Sequence, residues 1–269
     1  MGVMGVIEIS ERVARGAWRM PVVGRLLELD YERMFARRPK NRYHGKHPTF
    51  AEARRSIPPN HLVGYDHPLM AGQYRDRMDK ACESDYAVLF WLRSILGPTS
   101  YVFDFGGHVG VSFHGWRRYL EYPKGMRWCV YDLPAITRVG EELARERPSD
   151  GLSFTNDRAA ARGADVFLTA GALQYVDEDL PSILRSCGEL PRHLLVNKLP
   201  LYDGETFVTV QSTGRAYHPY RIFNRREFVD SITSLGYRVV DDWMNREQYC
   251  SIPFSNTKLE AYSGYYFTR

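Results

Sequence analysis

The sequence of 269 residues has few of the features that mark secreted, membrane-spanning or metal-bound proteins. Its four cysteines are far apart and form no CxxC pair; they are Cys82, Cys129, Cys187 and Cys250. This spacing predicts reduced thiols, without a disulfide framework or a zinc site, and we expect no metal. No apolar run approaches the roughly 18 residues of a membrane span, and the start, MGVMGVIEISERVARG, lacks a signal-peptide apolar region. We therefore expect a cytoplasmic protein.

A large excess of charge of one sign is also missing. Lysine and arginine total 36 against 32 aspartate and glutamate residues, which leaves a net charge of +4. This excess is too mild to predict a nucleic-acid partner. Basic residues do cluster early in the chain, at Arg33, Arg37, Arg38, Lys40, Arg42, Lys46, Arg54 and Arg55. This cluster is consistent with a solvated face, with binding of an anionic substrate or with weak peripheral contact with a membrane. A homodimer is also possible from the sequence.

The most informative stretch is YVFDFGGHVG, residues 101–110, in which a short apolar strand runs into a glycine-rich turn. A second apolar run, RWCVYD, ends on Asp132, which follows Gly110 by 22 positions. A βαβ nucleotide site needs this arrangement, because glycines let the backbone approach the ligand and the acid accepts hydrogen bonds from ribose hydroxyls. A dinucleotide fingerprint would need its first glycine at Phe105, so the spacing disfavours NAD. A tight turn without a ligand is the alternative.

The pattern Asp-x-Gly-Gly-x-x-Gly, from Asp104 to Gly110, resembles motif I of class I S-adenosylmethionine (SAM) methyltransferases. The same pattern followed by a strand that ends in Asp-Leu-Pro, residues 132–134, resembles the sequences of small-molecule O-methyltransferases. The resemblance implies SAM as the cofactor and S-adenosylhomocysteine (SAH) as its product. The cofactor-binding residues that we expect are Tyr65, Asp104, Gly106, Gly107, His108, Gly110, Asp132, Leu133, Asn156, Asp157, Gly171 and Ala172. A helix N-cap explains Asn156 and Asp157 equally well.

Strands and helices alternate regularly from residue 100 onward, which predicts an α/β fold with a parallel sheet and helices on both faces. Strands are predicted near 100–105, 127–132, 152–155, 165–170, 193–198, 237–243 and 263–269. Helices are predicted near 84–96, 110–121, 134–147, 157–162 and 177–187, and between the caps Asn224 and Gly236. A terminal pair of strands suits the seven-stranded, Rossmann-like class I methyltransferase fold. Residues 1–95 are predicted as an N-terminal helical lid segment, and residues 96–269 as the SAM-binding domain.

The candidate catalytic residues are Gln174 and His218, which follow the fourth and fifth predicted strands, and His108 in the glycine turn after the first strand. The resemblance implies a catalytic histidine after the fourth strand, but this chain has Gln174 there, which cannot take a proton at neutral pH. We expect His218 to act as the general base, because an unperturbed histidine pKa near 6.5 suits proton removal around pH 7. His108 stands where related enzymes carry a glycine, and it would contact the SAM carboxylate or point into the substrate cavity.

Residues 211–223, QSTGRAYHPYRIF, are predicted as a loop that holds the methyl acceptor. Its arginines would bind a carboxylate or a phosphate, and its aromatic rings would shape the pocket. The substrate-binding residues that we expect are His67, Tyr175, Arg215, Tyr217, Tyr220 and Arg221. A surface turn whose aromatic side chains pack on the sheet edge is the alternative.

Between Asp104 and Trp243 the chain also resembles a group of bacterial methyltransferases whose genes tend to lie near cell-surface polysaccharide clusters. The resemblance rests on DFGGHVG, on GALQY and on the segments PYRIF, REF, LGY and VDDW. It implies a sugar or glycolipid intermediate as the substrate. We therefore expect SAM-dependent O-methylation of a small molecule. The alternatives are N-methylation, an NAD-dependent Rossmann oxidoreductase and a non-catalytic SAM-binding protein.

Overall fold

The computed structural model describes residues 21–37, 41–72, 77–147 and 149–269. The expectation about the first residues, and the basic residues Arg38 and Lys40, lie outside this part of the chain. The helices are α1 (Pro21–Arg37), α2 (Phe50–Arg55), α3 (Pro68–Ala71), α4 (Tyr86–Ile95), α5 (Val111–Trp116), α6 (Pro134–Glu146), α7 (Leu180–Ser186) and α8 (Arg225–Thr233). The strands are β1 (Asn41–His47), β2 (Tyr101–Phe105), β3 (Arg127–Tyr131), β4 (Leu152–Thr155), β5 (Val166–Ala170), β6 (His193–Leu199), β7 (Leu201–Tyr202), β8 (Phe207–Thr213), β9 (Tyr217–Asn224), β10 (Arg238–Asn245), β11 (Cys250–Ser251), β12 (Lys258–Leu259) and β13 (Tyr262–Thr268).

A seven-stranded sheet forms the centre of the fold, with the strand order β10-β13-β6-β5-β2-β3-β4. Strands β6, β5, β2, β3 and β4 are parallel to one another. Strand β13 lies antiparallel between β6 and β10. This order, with one late strand inserted antiparallel, is that of the class I methyltransferase fold, and the predicted fold class is confirmed.

Strand β2 shows how both faces of this sheet are covered. Successive side chains of a strand point to opposite faces. Tyr101, Phe103 and Phe105 pack in one buried cluster with side chains of α7 and α8. Val102 belongs to the cluster on the other face, with side chains of α4 and α5. A parallel sheet covered by helices on both faces needs such continuously apolar strands.

The strands of the central sheet begin and end within three residues of their predicted positions. The helix predicted from Ser84 differs, because a short 3₁₀ turn at Glu83–Asp85 precedes α4. Ser84 is not its N-cap; the main-chain N–H of Ser84 donates to Glu247 Oε2 at 3.0 Å. The predicted cap at Asn224 is confirmed, since its side chain accepts a hydrogen bond from Glu227 N at 2.8 Å.

A second, four-stranded sheet, called here the accessory sheet, has the order β1-β8-β9-β7. Residues 211–223 therefore do not form the predicted loop; they belong mostly to the antiparallel strands β8 and β9, which meet at a turn containing Gly214 at φ +86°. Strand β1 was not expected in an N-terminal segment predicted as helical, and it pairs with β8. The accessory sheet thus contains strands from both predicted parts of the chain.

Replacement of Gly264 by alanine tests the packing of the antiparallel edge. Gly264 pairs with Trp243 across β10 and β13, and a Cβ on Gly264 would lie 2.1 Å from Trp243 Cε2. The indole also donates from Nε1 to Asn197 Oδ1 at 3.0 Å, so it cannot move without losing this hydrogen bond. We expect Gly264→Ala to lower the free energy of unfolding by about 1–3 kcal/mol, the usual effect of overpacking, measured by urea unfolding.

Gly97→Ala is the matched control, because the nearest atom to its added Cβ is 4.0 Å away. Equal stabilities of the two variants would contradict this account of the β10–β13 edge.

Candidate functional site

A cavity of about 1340 Å³ opens at the carboxyl ends of the parallel strands and extends to the accessory sheet. Ligands of open α/β sheets bind outside the carboxyl ends of the strands. Sites for a single small molecule have volumes of roughly 300–1,000 Å³. This cavity is therefore large enough for two ligands side by side. It is lined by these expected site residues: Tyr65, Asp104, Gly106, Gly107, His108, Asp132, Leu133, Gly171, Ala172, Gln174, Tyr175, His218 and Tyr220.

The glycine turn after β2 leaves no room for larger residues. A Cβ on Gly106 would lie 2.2 Å from the Cβ of Ala172, and Gly106 has φ +74°. A Cβ on Gly107 would lie 2.4 Å from Asp104 Oδ2. Glycine at these two positions lets the ends of β2 and β5 approach each other and exposes main chain to the cavity.

Both the main chain and the side chain of His108 make hydrogen-bond contacts with neighbouring elements. It is in the left-handed region at φ +58°, and its main-chain N–H donates to Asp132 Oδ2 at 2.8 Å. Its Nε2 lies 3.1 Å from the carbonyl oxygen of Met70. Burial lowers the pKa of His108 to about 4, although this contact opposes the shift. The ring is thus neutral at pH 7 and attached to α3.

Asp132 occupies the end of β3 beside the glycine turn. Its Oδ2 accepts from His108 N, and its Oδ1 accepts from Leu133 N at 2.7 Å. Burial raises its pKa to about 6, against the effect of these two bonds. Each carboxylate oxygen still has a further lone pair, so the group can accept two hydroxyl donors from the cavity. Leu133 is 41% exposed and lines the cavity next to this carboxylate.

Three expected cofactor residues do not line the cavity. Asp157 caps a 3₁₀ turn at Arg158–Ala161 by accepting from Ala159 N at 2.9 Å, as the alternative interpretation proposed. Asn156 donates from Nδ2 to Asp132 O at 2.7 Å, which braces the strand end. Gly110, at φ +82°, forms the N-cap of α5 and packs towards Leu152 and Phe154. These three residues support the elements that form the cavity and do not line it themselves.

Gln174 faces the cavity from the segment that follows β5. Its Nε2 donates to Gly171 O at 3.0 Å, and its Oε1 has no hydrogen-bond partner among the described residues. The side chain is only 3% exposed. A buried amide oxygen without a donor is costly, so this position is suited to accept a hydrogen bond from a ligand.

His218 lies on the accessory sheet with its ring in the cavity wall. It is 2% exposed, and its Nε2 has no hydrogen-bond partner in the described part of the chain. The ring stacks on Tyr65 with centroids 4.2 Å apart and an interplanar angle of 24°. Burial lowers its pKa to about 3, so the expectation of an unperturbed pKa near 6.5 is wrong. His218 is neutral throughout the physiological pH range.

The expected arginine clamp is absent from the cavity lining. Along β9 the side chains alternate, so Tyr217 and Arg221 point away from the face that carries His218. Tyr217 donates to Phe35 O at 2.5 Å. Arg221 donates to the carbonyl oxygens of residues 177 and 178. Arg215, at the exposed turn, donates to Leu69 O at 3.1 Å. All three residues hold neighbouring elements in place.

His67 also has a structural contact in place of the expected one with substrate. It is the N-cap residue of α3, and its Nδ1 accepts from Leu69 N at 3.2 Å. It does not line the cavity. Pro68, at the first helical position, is the helix-start signal that the sequence contains, and it places His67 at the N-cap.

A buried ion pair in the cavity wall was not predicted. Lys198 Nζ lies 2.6 Å from Asp85 Oδ1, and the two side chains are 13% and 7% exposed. Lys198 has φ +58°, which is uncommon for a residue with a Cβ. A charged residue ending an apolar strand was a signal for this site, whereas its partner lies 113 positions earlier and only the fold brings them together.

Among the described residues, no three histidine, cysteine or acidic side chains are grouped so that they would hold a metal ion. None of the helices in this part of the chain has both the length and the apolar character that crossing a membrane requires.

No family model matches the sequence, and no curated protein is significantly similar to it. Among solved structures, 1,6-didemethyltoxoflavin-N1-methyltransferase of Burkholderia thailandensis, crystallised with 1,6-didemethyltoxoflavin and SAH, has a TM-score of 0.45 and 16% identity over 74% of this chain and 79% of that chain. Mitomycin 7-O-methyltransferase MmcR has a TM-score of 0.44 and 18% identity over 69% of this chain and 52% of that chain.

Magnesium protoporphyrin IX methyltransferase ChlM of Synechocystis PCC 6803, crystallised with SAH, has a TM-score of 0.44 and 15% identity over 75% of this chain and 85% of that chain. The fold assignment rests on the strand order, and not on these similarities.

Asp104 is the most deeply buried acid of the site. It is 1% exposed; its Oδ2 accepts from Trp128 Nε1 at 3.1 Å, and its Oδ1 has no partner among the described residues. Burial raises its pKa to about 7. An acid with a raised pKa destabilises the folded state wherever it is ionised.

The stability of the protein should therefore depend on pH through Asp104. Its folded pKa of about 7 exceeds the ordinary value of 3.8, so its destabilising effect is absent below pH 4 and complete above pH 7. The substitution Asp104→Asn removes this effect, so it should change the free energy of unfolding more favourably at pH 8 than at pH 4. The two changes should differ by roughly 2–4 kcal/mol. Urea unfolding at both pH values measures it. The exposed Asp150→Asn should show no such difference, and a wild-type-like pH dependence of Asp104→Asn would refute the assignment.

Proposed function

We propose that this protein is a SAM-dependent methyltransferase that acts on the hydroxyl group of a small molecule. The observation that carries the proposal is the position of Asp132. Its carboxylate is fixed by main-chain N–H groups of the glycine turn and of Leu133, and it faces a cavity at the carboxyl ends of the strands. A nucleoside needs an acceptor pair for its ribose hydroxyls at this place in an α/β sheet.

The residues around Asp132 fit SAM. The glycine turn offers exposed main chain, Leu133 offers an apolar surface for adenine, and Asp104 Oδ1 is a buried acceptor without a donor among the described residues. An acceptor oxygen of this kind suits a group that carries N–H donors, such as the ammonium of the methionine part. Crystallised proteins with SAH among the structures reported above are consistent with this assignment.

SAM supplies an electrophilic methyl group on a sulfonium. The chain would contribute mainly by placing the acceptor oxygen in line with that methyl, an effect worth up to about 7–11 kcal/mol. His218 Nε2 would accept the hydrogen bond of the acceptor hydroxyl and then its proton. A histidine with a pKa of about 3 is a weak base, but an alkylated hydroxyl is so acidic that it gives up its proton readily. His218 would therefore take the proton late, as the oxygen becomes positive.

We place the protein in the cytoplasm, assign residues 1–95 as a lid segment over a domain of residues 96–269, and favour O-methylation over N-methylation. Tyr65, from the N-terminal part, stacks on His218 and lines the cavity, which supports the lid. The similarity to methyltransferases encoded near polysaccharide clusters favours a sugar or glycolipid acceptor.

The cofactor assignment predicts a specific loss of SAH affinity in Asp132→Asn. Replacing the carboxylate removes one charge-assisted hydrogen bond, worth about 1.5–3 kcal/mol. SAH should then bind roughly 10- to 150-fold more weakly in calorimetry. Since the pKa of Asp132 is about 6, wild-type affinity should also fall from pH 8 to pH 5, and the variant should show a smaller fall, because only Asp104, with a pKa of about 7, still titrates there.

Asp230→Asn, an exposed change on α8, is the control and should bind SAH like wild type. An unchanged affinity in folded Asp132→Asn would remove Asp132 from the site. Binding of NADH in place of SAH would support the oxidoreductase alternative and reject the proposed function.

The role of His218 is tested by His218→Gln, assayed with labelled SAM and a panel of sugars, phenols and hydroxy acids. Loss of the imidazole that accepts the hydrogen bond of the hydroxyl should lower turnover roughly 2- to 10-fold, as for one neutral hydrogen bond, while SAH affinity stays unchanged. Because the pKa of His218 is about 3, wild-type kcat/KM for the acceptor, measured at saturating SAM, should show no titration of His218 between pH 5 and pH 8. Near-wild-type turnover in the variant would mean that His218 only shapes the pocket.

A further inference from the structure

One end of the cavity is a polar chamber on the accessory sheet. Tyr43 pairs with Gln211 across β1 and β8, and Gln211 pairs with His218 across β8 and β9. Directly paired residues of antiparallel strands point to the same face, so these three side chains form one row. Tyr220, two residues beyond His218, continues the same face. We call this end the acceptor chamber, and its residues are Tyr43, Tyr65, Tyr175, Gln211, His218, Tyr220 and Tyr262.

Hydrogen bonds connect the polar groups of the acceptor chamber. Gln211 donates from Nε2 to Tyr43 Oη at 3.1 Å and accepts from Tyr175 Oη at 2.7 Å. Tyr220 Oη donates to Tyr262 Oη at 2.6 Å, and Tyr262 Oη lies 3.1 Å from Tyr43 Oη. These links fix where hydroxyl groups stand along the wall. A fixed array of donors and acceptors is suited to selecting a ligand by hydrogen bonds.

Aromatic rings form the other walls. Tyr65 and His218 are stacked at 4.2 Å, and Tyr175 meets both in edge-to-face contacts at 5.0 Å and 5.5 Å. Tyr175 also meets Tyr220 edge to face at 5.1 Å. The rings thus present flat apolar surfaces next to hydroxyl groups. This combination suits a ring-shaped ligand that carries hydroxyls.

The side chains that define the chamber are all uncharged. Burial raises the pKa of Tyr43, Tyr220 and Tyr262 well above the ordinary value and lowers the pKa of His218 to about 3. Arg42 also lines the cavity, and its buried Nη1 has no hydrogen-bond partner among the described residues. It pairs with Ser212, in the next row, and so lies on the opposite face of the accessory sheet from the chamber, near Tyr31. The other charged residues of the cavity lie on different elements: Arg54, Asp66, Arg77, Lys80, Asp85, Asp104, Asp132, Arg158, Asp177, Lys198 and Glu247.

We infer that the acceptor chamber binds an uncharged ring compound bearing hydroxyl groups, one of which faces His218. This inference rests on the function proposed above and names its substrate class. An anionic group in the chamber would lose its hydration without gaining a cation, which is strongly unfavourable. The arginine-held carboxylate or phosphate expected from the sequence therefore has no partner at this end. Sugars and phenols share the favoured chemistry.

The test compares matched pairs of compounds on the SAH-loaded full chain by saturation-transfer NMR and calorimetry. The first pair is methyl glucoside and glucuronate, and the second is 4-methylphenol and 4-hydroxybenzoate. In each pair both members carry a hydroxyl, and only the second is an anion at pH 8. We expect the uncharged member of one pair to bind, and the pair that binds distinguishes a sugar from a phenol.

Binding must also depend on the chamber hydroxyls. We expect Tyr43→Phe to weaken binding of the uncharged compound roughly 2- to 10-fold, as for the loss of one neutral hydrogen bond. Tyr220→Phe is a second variant with the same expectation. Tyr237→Phe is the control, because Tyr237 donates to Pro191 O in a buried position outside the cavity. Thermal unfolding and SAH affinity establish that each variant is folded.

Each outcome separates this inference from the proposed function. Loss of binding in the chamber variants, with the control unchanged, supports it. Binding of the anionic members alone, or binding that Tyr43→Phe and Tyr220→Phe leave unchanged, overturns it while SAH binding keeps the methyltransferase proposal. If no probe binds the SAH-loaded chain, the inference fails as well. If SAH itself does not bind, the proposed function fails first.

Discussion

The close contact between the glycine turn and the neighbouring strand ends is the constraint on which the site depends. Gly106 approaches Ala172 so closely that a Cβ would lie 2.2 Å from it, and its N–H donates to Tyr131 O at 2.8 Å. These contacts align the carboxyl ends of β2, β3 and β5 at one edge. The aligned ends place Asp104 and Asp132 on the wall of one cavity. Because the Cβ of Ala172 is bonded directly to its main chain and has no rotamer, side-chain rotation cannot make room for a larger residue at Gly106.

The cavity keeps several groups away from their ordinary protonation behaviour. Burial raises the pKa of Asp104 to about 7 and lowers that of His218 to about 3. Each shift reflects free energy lost in the folded state, and such groups are characteristic of sites that bind or transform ligands. The two ends of the cavity differ in kind: the strand ends carry carboxylates, while the accessory sheet presents uncharged hydroxyl, amide and imidazole groups.

Much of the fold was predictable, because its signals are local. Short apolar runs marked the parallel strands of the central sheet, which have four to seven residues, and glycines and caps marked their ends. The spacing from the glycine turn to Asp132 predicted their meeting, since one βαβ unit connects them. The parts predicted wrongly were those that depend on strand pairing over long sequence distances. Residues 211–223 contain a charged turn, which looks like a loop until β1 supplies a partner strand from 170 residues away.

The sequence by itself determined the order of strands and helices, the glycine turn and the acid beside it, because each depends on neighbours within about one supersecondary unit. Only the tertiary structure decided which side chains face the cavity. In a strand, successive residues point to opposite faces, so His218 and Tyr220 enter the site while Tyr217 and Arg221 leave it. Lys198 and Asp85 meet only because the fold packs the turn before α4 against the end of β6. Long-range packing selects the face, and no local pattern encodes that choice.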